Sequence, residues 1–131
     1  MFEISETLDK RLKEMDFVDY LQEMHDRLER ITHRPKSNSA YSECRTLTMH
    51  IKHRIVTEFK LSWEDFDMKI GKNLRQSEEI LDLYGHSESD KRKSARIKEF
   101  VDEYTYDLSS FIRAAKRRKD NPSTTINEEE I

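Results

Sequence analysis

Apolar residues recur at three- and four-residue steps along most of the chain, which is the spacing of amphipathic helices. The clearest stripe predicts a long helix over 90–118, where the apolar residues fall on one face about 100° wide. Its members are Ile97, Phe100, Val101, Tyr104, Leu108, Phe111, Ile112 and Ala115. Ser87 and Ser89 are candidate N-caps before this helix, and Pro122 prevents its continuation.

Two similar stripes predict helices over 40–60 and 63–84. The first stripe comprises Tyr41, Cys44, Leu47, Thr48, Ile51, Ile55 and Phe59. The second comprises Trp63, Phe66, Ile70, Leu74, Ser77, Leu81 and Tyr84. Ser62 and Asp65 form a capping box at the start of the second helix, and Gly85 is well placed to end it.

The first third of the chain carries two stripes that face nearly opposite sides of a continuous helix. One comprises Ile4, Leu8, Leu12 and Met15, and the other comprises Phe17, Leu21, Met24, Leu28 and Ile31. A single helix buried on different faces would give this pattern. We favour a break at Asp16, because Asp16 and Asp19 resemble an N-cap followed by an acidic third position. The break predicts an arm over 3–15 and a helix over 17–33.

Composition supports an all-α fold. The 131 residues include only two Gly and two Pro, too few for the turns of a sheet protein, and 39% of them are charged. Short connections between long helices favour antiparallel neighbours. We therefore predict one domain over 1–119, a four-helix up-down-up-down bundle with a short N-terminal helical arm. Residues 120–131 are predicted to be a disordered acidic tail.

The chain has the features of a soluble cytoplasmic protein. Cys44 is the single cysteine, so an internal disulfide and a multi-cysteine zinc site are excluded. No apolar run approaches the roughly 18 residues that span a bilayer. The start "MFEISETLDK" carries acids where a signal peptide needs a basic segment. These observations predict an intracellular setting and no membrane partner.

The stretch "ECRTLTMHIKHR", residues 43–54, raises the sharpest chemical question. His is the usual acid or base near neutral pH, and Arg stabilises charge on phosphate. The spacing of Arg45 and His50 resembles the Arg-x4-His pattern of HEPN ribonucleases, which are four-helix bundles that commonly dimerise. The resemblance covers six residues and the predicted architecture. It implies a metal-independent ribonuclease with His50 as acid or base and Arg45 as phosphate binder. Thr46 stands where that family usually has a polar residue such as Asn.

Helix geometry favours a structural interpretation of the same pair. Five residues along a helix correspond to about 140° of rotation. Relative to the core stripe, Arg45 then lies about 90° to one side and His50 about 130° to the other. We therefore expect both residues to flank a helix whose Cys44, Leu47 and Ile51 point inward. Catalysis by Arg45 and His50 remains the alternative.

Other familiar chemistry is not indicated. His50 and His53 are three residues apart, but a zinc site needs at least three protein ligands, and no HExxH motif is present. The chain has no Glu-x-x-His, no glycine-rich phosphate loop and no serine nucleophile elbow. Cys44 lies on a core stripe and fits a small buried residue better than a nucleophile. We predict no metal, no cofactor and no small-molecule substrate.

Charge is unevenly distributed along the chain. Residues 61–90 have a net charge of −5, and residues 91–119 have a net charge of +6. The densest basic cluster comprises Arg113, Lys116, Arg117, Arg118 and Lys119. Such a cluster can contact nucleic-acid phosphates, which gives a second alternative, a nucleic-acid-binding subunit of a larger complex. It can equally complement the helix dipole and an acidic neighbouring helix.

Apolar residues outside the core stripes lead to the main functional hypothesis. Met49 and Val56 share a face roughly 120° from the core of their helix, and the arm residues Ile4, Leu8, Leu12 and Met15 need a surface to cover. The arm could fold across Met49 and Val56 and bury both. Surplus apolar faces on a small bundle more often indicate a partner. We predict a non-enzymatic interaction protein (adaptor, regulator or assembly subunit) that binds another protein or a second copy of itself.

Overall fold

The computed structural model describes residues 4–32, 38–66, 68, 72–82 and 89–120. These residues form helices and no strand, which confirms the all-α prediction for the described part of the chain. The helices are α1 Glu6–Glu14, α2 Phe17–Ile31, α3 Asn38–Phe59, α4 Trp63–Asp65, α5 Lys72–Asp82 and α6 Asp90–Asp120. None of them combines the length and apolar character needed to cross a bilayer. The predicted tail lies outside the described residues, except that Asp120 ends α6.

The chain changes direction between α1 and α2 at Asp16, where the sequence indicated a break. Asp16 is the N-cap of α2, and its carboxylate accepts a hydrogen bond from the Val18 amide at 3.2 Å. Ser5 caps α1 in the same way through the Leu8 amide, also at 3.2 Å. These caps satisfy amides that a helix start leaves unpaired. The break allows the stripes of α1 and α2, which a continuous helix would separate, to face one core.

The core forms where the apolar stripes meet. All eight stripe residues of α6 are buried, and so are Cys44, Leu47, Thr48, Ile51 and Ile55 of α3. At one end, Phe17, Phe59 and Phe111 join α2, α3 and α6, with ring centroids 5.5 to 6.4 Å apart. Phe17 contacts Phe59, whereas Tyr20 contacts His50, so α2 and α3 run antiparallel. α6 packs against both α2 and α5.

The segment predicted as one helix over 63–84 is described as α4 and α5. Ser62 caps α4 by accepting from the Asp65 amide at 3.1 Å, as the capping box predicted. Phe66 and Met68 follow in a wider, π-helical conformation, and residues 67 and 69–71 lie outside the described part. Trp63 belongs to the predicted core stripe but is exposed. Its position in the first turn of α4 places it at the edge of the fold.

Helix α3 ends at Phe59 through a left-handed residue. Lys60 has φ of 53°, a conformation that glycine adopts more readily than lysine. The Leu61 amide donates back to the Val56 carbonyl at 3.0 Å, which is the hydrogen bond of a Schellman motif. The motif turns the chain sharply from α3 into α4. It thereby places Trp63 beside the outer face of α3.

Candidate functional site

An open cleft of about 910 Å³ lies between the N-terminal arm and the outer face of α3. We call it the α1–α3 cleft. The arm contributes Ile4, Asp9 and Lys13. Helix α3 contributes residues between 45 and 58, and Met49 is its large apolar side chain. Because 58% of Met49 is exposed, the cleft presents apolar surface to solvent.

The predicted partner-binding residues differ in accessibility. Leu12 is fully buried in the core, so it cannot contact a partner while α1 is in place. Ile4, Leu8, Met15 and Val56 are half-buried and pack against the core. The arm therefore buries much of its own stripe, but it does not bury both Met49 and Val56, as the alternative interpretation supposed. Met49 remains largely exposed.

His50 joins three helices at the wall of the cleft. Its Nδ1 atom lies 2.6 Å from the hydroxyl of Tyr20 on α2, and its Nε2 atom lies 3.0 Å from Asp9 Oδ1 on α1. A carboxylate can only accept, so we place the proton on Nε2, and Nδ1 accepts from Tyr20. Burial raises the pKa of Tyr20 well above its ordinary value, which keeps the phenol a neutral donor. Both nitrogens of His50 are thus engaged within the fold.

Substitution of His50 tests this hydrogen-bonded bridge. His50→Ala is expected to lower the free energy of unfolding by about 2 kcal/mol, because the buried Tyr20 hydroxyl loses its acceptor. Tyr20→Phe removes the donor itself and is expected to cost about half as much. Urea unfolding followed by circular dichroism measures both values. A larger loss for Tyr20→Phe than for His50→Ala would contradict the assigned bridge.

Asp9 gives the arm a defined pH dependence. Hydrogen bonds from Lys13 and then from His50 lower the pKa of Asp9 below its ordinary value of 3.8. A lowered folded pKa stabilises the fold above the unfolded pKa, and this stabilisation is lost as pH falls through the folded pKa. We expect the stability that Asp9 adds relative to Asp9→Asn to decrease as pH falls below the ordinary aspartate pKa of 3.8 and through the lowered pKa of the folded state. Urea titrations across that range measure it, and a pH-independent difference would refute it.

Arg54 holds the end of α1 against α3. Its two terminal nitrogens donate to the carbonyl oxygens of Leu12 at 3.0 Å and Met15 at 2.7 Å. Its Nε atom donates to Glu58 at 3.0 Å. The guanidinium also lies 4.8 Å from the ring centroid of Tyr20. Only 13% of the Arg54 side chain is exposed, and it gives the Leu12 carbonyl a second donor besides the Met15 amide and also donates to the Met15 carbonyl at the end of α1.

Arg45 lines the same cleft as His50, although helix rotation had suggested that the two lie on different sides of α3. The cleft is broad enough to include both. Arg45 is committed to other groups: its terminal nitrogen donates to Asp82 of α5, and its Nε atom donates to the Tyr41 hydroxyl at 3.2 Å. The Arg45 side chain therefore contacts α5, whereas the His50 side chain contacts α1 and α2.

Cys44 lies beside Arg45 in sequence but faces the core. It is fully buried, and burial raises the pKa of its thiol to about 12. A thiol with this pKa is protonated at neutral pH and cannot act as a nucleophile. Cys44 therefore contributes packing rather than chemistry.

Trp63 was predicted to lie in the core. Instead, it forms an aromatic edge next to the cleft. His53 lines the cleft, and its ring meets the Trp63 ring edge-on with centroids 4.7 Å apart. The Lys52 ammonium lies 5.0 Å from the centroid of the same indole. The capping box could have indicated this exposure. It places Trp63 in the first turn of a helix after a tight connection, and such a turn lies at the surface.

The basic end of α6 is accessible but is not part of the cleft lining. Arg113, Lys116 and Arg117 are exposed. One terminal nitrogen of Arg113 donates to the Ser110 hydroxyl on the same helix at 3.0 Å. The side chains of Arg118 and Lys119 lie outside the described residues. Arg113, Lys116 and Arg117 form an accessible surface near the end of α6, where bases also favourably complement the helix dipole.

Metal-ligand geometry within the described part of the chain is confined to one cluster on α2. Ligand atoms of His25, Asp26 and Glu29 lie within 4.8 Å of one another. Asp26 and Glu29 are exposed, and His25 lies 3.2 Å from Asp26 in an ordinary surface contact. His50 and His53 belong to no such cluster among the described residues.

Comparison with protein-family models, with curated proteins and with solved structures finds no match for this chain. The similarity to HEPN ribonucleases therefore rests on the spacing of Arg45 and His50 and on the helical fold class.

Proposed function

We propose that this chain is a non-enzymatic interaction protein that binds another protein in the α1–α3 cleft. The observation that carries the proposal is the exposure of Met49 within a concave surface. Large apolar side chains in concave surfaces are typical anchor points of protein interfaces. By contrast, Arg45 and His50 are held by contacts within the fold.

The scaffold for this role is a single domain over 1–119. In our proposal it is an up-down-up-down bundle of α2, α3, α4 with α5, and α6, and α1 is the arm. The antiparallel contact of α2 with α3 and the packing of α6 on α2 and α5 support that arrangement. The role is that of a cytoplasmic adaptor, regulator or assembly subunit.

A HEPN-like ribonuclease is the second candidate, because Arg45 and His50 line one cleft. It would require His50 to leave Tyr20 or Asp9, since an acid or base must exchange its proton with the substrate. It would also require Arg45 to leave Asp82. The interaction proposal needs neither change. If the purified protein cleaves RNA and His50→Ala loses this activity, the ribonuclease would replace the interaction protein as the proposed function.

The proposal is tested by placing a photo-crosslinking residue at position 49 of the full chain. Position 106 provides the control, because Tyr106 is 72% exposed on α6. Crosslinking is carried out in the source cells, with nuclease treatment of one half of each sample. We expect a protein crosslinked at 49, not at 106, and unaffected by nuclease.

The captured protein is then purified and its affinity measured. Met49→Glu is expected to weaken binding at least tenfold, because a charge in an apolar anchor position must be desolvated. Tyr106→Glu is expected to leave affinity within twofold. Equal effects of the two variants would refute the cleft as the binding surface. Recovery of nucleic acid with Arg113 and Lys116 at the contact would favour the nucleic-acid-binding alternative instead.

A further inference from the structure

The floor of the cleft is a straight row of side chains, which limits the kind of partner element that fits. Thr46, Met49, His53 and Thr57 all line the cleft. Their spacing of three, four and four residues places them in one row along α3. At 1.5 Å per residue the row is about 16 Å long, equal to three helical turns. The α3 side of the cleft is therefore elongated along the helix.

The arm and Trp63 flank this row. On one side α1 runs in the same direction as α3, since Asp9 contacts His50 and Leu12 contacts Arg54. On the other side Trp63 contacts His53 edge-on. A linear floor with a helical wall and an aromatic edge has the shape of a groove for a rod-like element.

Backbone hydrogen bonding decides between a helical and an extended occupant. The floor and the arm wall are helices, whose amides and carbonyls bond within each helix. They offer no strand edge to which an extended peptide could add. A buried backbone without partners costs free energy, so the occupant must satisfy its own backbone groups. An α-helix does so.

Charge at the cleft indicates the polar character of the occupant. Both carboxylates of the lining are engaged inside the fold, Asp9 with His50 and Glu58 with Arg54. Lys13 has 70% of its side chain exposed, although it pairs with Asp9 at the surface. Among the described arm residues that line the cleft, the most accessible charge is therefore positive, and a carboxylate on the partner complements it.

From these observations we infer that the cleft receives an amphipathic α-helix of about three turns from a partner protein, with its apolar face on Met49 and Ile4 and a carboxylate opposite Lys13. This inference rests on the proposed function and specifies its partner. A second copy of the chain, an extended segment and a basic segment are the occupants that the experiment must distinguish from it.

The probe is a displayed library of random 16-residue peptides, selected on the full chain, and the enriched peptides are then tested for binding to Met49→Glu. We expect enriched peptides with apolar residues at helical spacing and an excess of Asp and Glu. Synthetic copies should gain helical circular dichroism on binding. They should also change the fluorescence of Trp63, which is the single tryptophan of the chain.

Matched lysine variants test whether the positive charge of Lys13 contributes to peptide binding. Lys13→Met keeps the aliphatic stem and is expected to weaken the acidic peptide about fivefold, with less dependence of affinity on salt. Lys98→Met, at an exposed position of α6, is expected to leave affinity within twofold. Thermal unfolding of each variant verifies that the fold is retained.

The outcomes separate the two proposals. Enriched peptides that are extended or basic, or no enrichment, would overturn the inference of a helical acidic partner. Crosslinking at position 49 tests the proposed function independently. If sedimentation shows that the wild-type chain self-associates and Met49→Glu does not, the inference of a helical partner protein is also overturned. The occupant is then a second copy of the chain. Peptides that bind Met49→Glu as tightly as wild type would overturn the cleft itself.

Discussion

Replacing Arg54 with Ala is expected to lower the free energy of unfolding by about 3 kcal/mol, as measured by urea denaturation. Arg54 donates to the carbonyls of Leu12 and Met15 and to the Glu58 carboxylate, and little of it is exposed. Its loss leaves two carbonyls at the end of α1 and one carboxylate without this donor. Hydrogen bonds to charged groups contribute about 1.5–3 kcal/mol each, and partial hydration offsets some of the loss.

Arg11→Ala is the matched control. Arg11 is exposed and makes a 3.7 Å ion pair with Glu23, a surface contact worth about 0–1 kcal/mol. Arg54→Lys keeps the charge but not the planar fork, so an intermediate loss is expected. A value for Arg54→Ala as small as that for Arg11→Ala would show that Arg54 does not hold the arm.

Phe111→Ala is expected to lower the free energy of unfolding by about 4 kcal/mol. Phe111 is fully buried, and its ring lies 5.9 Å from that of Phe59 and 6.4 Å from that of Phe17. Truncation opens a cavity where three helices meet and removes the aromatic contacts of the cluster. Guanidinium denaturation followed by circular dichroism measures the effect.

A loss of this size is a large share of the stability of a small domain, so Phe111→Ala is measured alongside a milder variant. Phe111→Leu is expected to cost about 1–2 kcal/mol and to fold. Tyr106→Ala, five residues away on the exposed face of α6, is expected to stay within about 0.5 kcal/mol of wild type. If Phe111→Leu matched wild type, the cluster would not be the close-packed junction described here.

The helical core could be predicted from the sequence because its signals are local. The stripe of α6, from Ile97 to Ala115, is buried at every predicted position. Periodicity identifies such a face without knowledge of its neighbours. The caps at Asp16, Ser62 and Ser89 were also predictable, because a cap hydrogen bond joins residues two or three apart.

The site depends on pairs that are far apart in sequence, and these could not be predicted. His50 binds Tyr20 and Asp9 across 30 and 41 residues, and Arg54 binds Leu12 across 42. Such contacts follow from the order of helices in space, which narrow apolar stripes leave open. Arg45 and His50, which the sequence singled out, both line the cleft, but Arg54 carries the more extensive contacts. No local pattern distinguishes it from the other bases of the chain.

The attachment of the arm to α3 has a consequence for sequence divergence. Arg54 recognises α1 through the carbonyl oxygens of Leu12 and Met15, which every amino acid provides at those positions. Outward-facing arm residues, such as Lys13, can therefore change without loss of the hydrogen bonds from Arg54 to α1. Homologues that keep Arg54 and a large apolar residue at position 12 could diversify the cleft wall. Recognition specificity could then evolve separately from folding.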